Sequence, residues 1–64
     1  MKNYITYAIV NEEGFKYYDV LEKFVPNLGW NDGCLDRDWL EDCMASIQQT
    51  FPNEKFEIVV HYQR

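Results

Sequence analysis

The chain has 64 residues, 47% hydrophobic and 17% aromatic, with a formal net charge of −5. One small domain over residues 1–64 is the expectation, because a chain of this size buries only about 60% of the surface it exposes when unfolded, which leaves little room for a ligand cleft of the usual roughly 300–1,000 Å³. The aromatic content argues against disorder, the acidity against direct binding to nucleic-acid phosphates, and the lack of any run near the ~20 apolar residues of a membrane span against a transmembrane segment.

Met1-Lys2-Asn3 leads into a largely apolar run of seven residues and then polar ones, a pattern that predicts no signal peptide. Residues 4–10, YITYAIV, are rich in β-branched and aromatic types and read as a strand. NEEG follows at 11–14. Asn at the first position and Gly at the fourth suit a type I turn closed by a left-handed glycine, the usual three-residue hairpin loop. FKYYDVL (15–21) then pairs back antiparallel. A helix competes for this segment: Lys16, Asp19, Glu22 and Lys23 form one face, and Tyr17, Tyr18, Leu21, Phe24 and Val25 the other. The turn chemistry and the rings favour the strand. Val25 before Pro26 ends the element.

Residues 26–35 read as a loop punctuated by Pro26, Gly29 and Gly33. A helix follows from about Asp36 to Phe51. Its apolar stripe is Leu40, Cys43, Met44, Ile47 and Phe51, with Trp39 on the shoulder. Pro52-Asn53 stops it. KFEIVVHY (55–62) alternates, placing Phe56, Ile58, Val60 and Tyr62 on one face and Glu57, Val59 and His61 on the other. The fold class is therefore α+β: a small antiparallel sheet in ββαβ order, with βααβ as the alternative, and one amphipathic helix on one face. The second face, with Tyr4, Tyr18, Val20, Val59 and His61 as candidate liners, must be solvated or covered by a partner.

NLGWNDGCLDRDWLEDC (27–43) concentrates the chemistry, holding five carboxylates, both tryptophans and both cysteines. Asp32, Asp36, Asp38, Glu41 and Asp42 against Arg37 carry −4 of the −5, so the acidity is a patch. It does not read as a metal site. With Gly33 at position 6 of a calcium loop, Leu28, Trp30 and Trp39 fall where oxygen ligands are required. Cys34, Cys43 and His61 are the only nitrogen or sulfur candidates for zinc, and their spacing is not that of a zinc knuckle. Cys43 lies about 10 Å along the helix, so a bridge to Cys34, which needs Cα atoms within about 7 Å, is not expected. With two thiols and no disulfide framework, an intracellular, cytoplasmic protein is expected.

Helix capping accounts for part of the acidity. Asp36 is the N-cap candidate, Asp38 lies in the first turn, and Asp38 to Glu41 reads as an acidic capping box. Asp32 and Asp42 are left over, and Asp38 repels Asp42 at i, i+4. Spare like charges at a repulsive spacing point to a basic partner. Trp30, between glycines, either projects or folds over the helix as a lid; the lid is the favoured expectation.

Three functional readings follow. The leading one is a non-catalytic acidic protein-binding module that needs no cofactor. It would work through Trp30, Asp32, Asp36, Asp38, Glu41 and Asp42 by occluding a basic surface of a larger host protein, as small phage or mobile-element inhibitors do. Where that surface binds nucleic acid, the carboxylates would act as a partial DNA mimic. The second is an accessory subunit or a homodimer pairing through its sheet. The third and least favoured is an enzyme using Cys34 as nucleophile and His61 as base. The helix dipole would lower the Cys34 thiol pKa, but the surrounding carboxylates oppose this.

Overall fold

The computed structural model describes residues 4–64. Residues 1–3, on which the signal-peptide reading rests, lie outside the described residues. Four strands, β1 (Ile5–Asn11), β2 (Lys16–Tyr18), β3 (Lys23–Val25) and β4 (Phe56–Gln63), form one sheet in the order β3-β2-β1-β4. Every pairing is antiparallel. The one α-helix, α1 (Arg37–Thr50), packs on one face. The α+β class and the single covering helix are as the sequence predicts.

The first hairpin forms as its turn chemistry requires. Gly14 takes φ +85°, its N–H donates to the Asn11 carbonyl at 3.1 Å, and the Asn11 N–H closes the loop on Phe15 at 2.9 Å. The Asn11 side chain supports the turn from inside, accepting from the backbone N–H groups of Glu13 (3.0 Å) and Phe15 (2.9 Å). An asparagine ending a strand thus specifies the reversal through its own amide oxygen.

The single strand expected over 15–21 is corrected. It stops at Tyr18, and the chain turns again so that Tyr17 opposes Phe24 in β3. Glu22 carries the reversal at φ 53°, an uncommon conformation for a residue with a side chain. The helical alternative does not form either. The aromatic residues decide the outcome. Tyr17 and Phe24 pack edge to face at 5.5 Å, Phe24 meets Phe51 at 5.3 Å, and Phe56 completes the group. A second hairpin delivers both rings to the end of α1, whereas a continuous strand would have carried Phe24 past it.

The central strand β1 supplies Ile9, which is buried against Leu40 and Ile47 of α1. Cys43, Met44 and Phe51 of the predicted stripe pack partly buried around this centre, with Tyr7 and Ile58 from the sheet. Helix α1 ends as expected before Pro52. In place of a glycine cap, the Gln48 side-chain amide donates to the carbonyls of Phe51 and Glu54 at 3.2 Å each, with the Pro52 carbonyl 3.5 Å from the same nitrogen.

Alternation in β4 is broken once. Tyr7 opposes Val60, but Thr6 opposes Tyr62, so His61 is the extra residue of a β-bulge. The predicted shared face of Phe56, Ile58, Val60 and Tyr62 is therefore corrected: the bulge turns Tyr62 away from the helix side, where it meets Trp30 at 5.5 Å.

The second sheet face is also unlike the expectation, since the chain covers part of it itself. Thr6 and Ala8 point away from the helix by alternation with Tyr7 and Ile9, yet Thr6 is 0% and Ala8 4% exposed. The segment leaving β3 passes over Thr6, with Gly33 against it. His61 Nε2 lies 2.7 Å from the Gly29 carbonyl, and its Nδ1 lies 2.8 Å from Lys16 Nζ. A neutral imidazole protonated on Nε2 satisfies both, donating to the carbonyl and accepting from the ammonium. The chain then rounds the edge of the sheet, where Cys34 makes an antiparallel bridge to Tyr7 with bonds of 2.7 and 2.8 Å, and enters α1.

Gly33 is what allows this crossing. A Cβ there would stand 2.6 Å from Thr6 Oγ1, 2.8 Å from Thr6 Cβ and 2.9 Å from His61 Cδ2. Gly33→Ala is therefore expected to destabilise the fold by about 1–3 kcal/mol, the usual range for overpacking. A urea denaturation midpoint equal to that of the parent would contradict this account of the loop.

Candidate functional site

The acidic segment divides into residues that serve the helix and residues that do not. Asp36 is the N-cap, its carboxylate accepting from the Trp39 backbone N–H at 3.2 Å. Asp38 lies in the first turn, where the helix dipole favours a negative charge. The capping box expected from Asp38 to Glu41 is corrected. Asp36 occupies the cap, and Glu41 instead pairs with Arg37 one turn back at 3.0 Å. Both side chains of that pair are about half exposed, so it is worth only about 0.3–0.5 kcal/mol. It is the one ion pair among the described residues. Asp32, Asp38 and Asp42 are exposed with no cationic partner among those residues.

The two tryptophans part company. Trp30 begins a 3-10 turn, Trp30–Asp32, and leans on Tyr62 of β4 while remaining 59% exposed. It is not a lid on the helix, and that expectation is corrected: the loop passes over the opposite face of the sheet and carries Trp30 with it. Trp39 is 50% exposed on the shoulder of α1, with Leu35 64% exposed before the N-cap. Trp30 is thus held on β4, while Asp38 and Asp42 ride on α1. Of the six sequence-predicted site residues, Trp30 and Asp32 lie in the 3-10 turn, and Asp36, Asp38, Glu41 and Asp42 lie at the start of α1.

A different grouping forms around Trp39. On its β2 side, β1 is paired at Val10↔Lys16 and again at Tyr7↔Cys34. Between these two points lies a cleft of about 230 Å³. Ile9 and Leu40 are buried members of its lining, and Tyr17, Leu28 and Cys43 also contribute. Asp19, Asp32 and Trp39 are its exposed members and form the rim. Asp32 is thereby brought to Trp39. Sequence reasoning missed Asp19 because it treated 15–21 as one strand. The Asp-Val-Leu-Glu run at 19–22 was the available sign of a turn, weakened by its two apolar residues.

The two residues of the third reading, Cys34 and His61, each have a hydrogen-bond partner within the chain. Both cysteines are free. Cys34 Sγ donates to the Asp36 carbonyl at 3.3 Å, and both ring nitrogens of His61 are taken up by Lys16 and Gly29. Burial holds the Cys43 thiol above its ordinary pKa, with Cys34, Asp42 and Asp19 adding to the effect. Among the described residues, no group of three or more His, Cys, Asp or Glu is placed to hold a metal ion, and no helix is long and apolar enough to cross a membrane. No family model, curated protein or solved structure matches this chain.

Tyr17 is likewise raised, first by burial and then by Glu22, Asp19 and Cys43. For both groups the folded protein holds its proton more tightly than the unfolded chain. The unfolded state therefore binds fewer protons at alkaline pH, and stability falls with rising pH. The loss should begin above the ordinary thiol range near pH ~8.5 and deepen through the phenol range near ~10. In a Cys34→Ser variant, alkylation of Cys43 should reach half its maximal rate at a higher pH than in a urea-unfolded control. Coincident profiles would refute the burial of that thiol.

Proposed function

We propose that this chain is a non-catalytic acidic binding module that docks on a basic surface of a larger protein and acts by occlusion. The observation that carries the reading is the exposed Trp39 and Leu35 beside the carboxylates of Asp32, Asp38 and Asp42, which have no cationic partner among the described residues. An aromatic anchor within a polar rim is the usual anatomy of a binding hot spot. A magnitude sharpens the point. A tryptophan left half outside forgoes about 2–3 kcal/mol of burial, taking ~200 Å² per ring and ~25 cal/mol per Å². A domain of this size has only about 3–5 kcal/mol of net stability. Leaving the Trp39 ring half outside is a large omission unless another surface covers it. A small inhibitor from a phage or mobile element fits this economy, and a partner surface that normally binds nucleic acid would make the carboxylates a partial phosphate mimic.

A second reading has its own support. β4 is an eight-residue edge strand without proline, and such an edge offers unpaired backbone groups to a second copy. A light-scattering mass equal to the monomer at working concentration removes it.

The docking reading is tested by affinity capture at low and high salt with the parent and with Trp39→Glu, Asp38→Lys and Asp42→Lys combined. The parent should retain a protein with a basic surface at low salt and release it at high salt. The variant should retain its circular dichroism spectrum and lose that protein by at least about tenfold, the sum of a hot-spot ring and two charges. Undiminished capture by a folded variant would refute the reading.

A further inference from the structure

The cleft beside Trp39 specifies the partner more closely than surface charge does. At about 230 Å³ it falls below the roughly 300–1,000 Å³ typical of small-molecule sites. It has room for one long side chain. Its buried lining is apolar, with Ile9 and Leu40 below, while its rim carries the half-exposed ring of Trp39 and two carboxylates from separate segments, Asp19 and Asp32. Neither carboxylate has a cationic partner among the described residues.

We infer that this cleft receives an arginine side chain presented by the basic surface of a partner protein. The inference rests on the docking reading above and adds the chemistry of the contact. The arginine stem lies along Ile9 and Leu40, as long cationic side chains commonly lie on apolar surface. The guanidinium stacks on Trp39 and is shared by Asp19 and Asp32. A wholly apolar side chain would remove water from the two carboxylates without replacing it. Lysine would supply charge but no plane to stack on the indole.

The test uses the whole chain, ¹⁵N-labelled, titrated with acetyl-Gly-Arg-Gly-amide and with the matching lysine and norleucine peptides. The arginine peptide should give saturable shifts at the Ile9 and Cys43 amides and the Trp39 indole, and should bind more tightly than the lysine peptide. Asp19→Asn and Asp32→Asn should each weaken it by about two- to fivefold, as expected for exposed ion pairs, and Trp39→Ala by a similar factor. Absence of saturable shifts in the cleft overturns the inference, as does a norleucine peptide that binds equally well. Shifts confined to Asp38 and Asp42 overturn it while leaving the docking reading in place. Cleft shifts that persist in the Asp38→Lys, Asp42→Lys variant support it even where protein capture has failed.

Discussion

Two backbone hydrogen bonds between Tyr7 and Cys34 hold the point at which the chain passes from one face of the sheet to the other. Before it, the segment up to Gly33 lies over Thr6 and His61. After it, α1 lies over Tyr7 and Ile9. The central strand therefore has cover on both sides from a single continuous stretch, which a chain with so little core requires. The same bridge also creates the cleft. It occupies the edge of β1 beyond the end of β2, and the space left between the two pairings is the concave feature that Trp39 borders. Geometry that encloses the sheet and geometry that offers a site are here consequences of one crossing.

Much of this was legible in the sequence, and the reasons are local. The helix was readable because Leu40, Cys43, Met44, Ile47 and Phe51 repeat at the helical period, with Asp36 and Pro52 as boundary signals at either end. The first hairpin was readable because Asn11 and Gly14 leave few other conformations for the turn. What escaped had no local signal. The second hairpin turns at Asp19–Glu22 without glycine or proline, and is set by where Phe24 finds Phe51 and Phe56. The bulge at His61 reflects how β4 registers on β1. The path of the 26–33 loop depends on the fit of Gly33 over Thr6 and on His61 reaching Gly29.

The same distinction separates the parts of the site. The capping role of Asp36 follows from its position before an apolar repeat and needs no tertiary knowledge. The assignment of Trp30 and Trp39 does not. Both are tryptophans near a helix start, and only the route of the loop places one against Tyr62 and the other at the cleft. Asp32 acquires a neighbour in Asp19 that lies thirteen positions earlier in the sequence. Sequence proximity marks an acidic segment, but the grouping of its members is a property of the sheet edge.

Strands β1 and β4 bring opposite ends of the described chain together, with Ile9 opposite Ile58. Closing a loop of about 50 residues costs on the order of 3–4 kcal/mol in chain entropy, as much as the whole net stability expected of so small a domain. The pairing can be held only when α1 packs across both strands at once. Hairpins and helix turns form early and briefly on their own, but none of them retains its place until the last strand arrives. The domain should consequently have no long-lived half-formed state: the surface that carries Trp39 and its carboxylates is assembled with the final strand, and is lost with it in the same step.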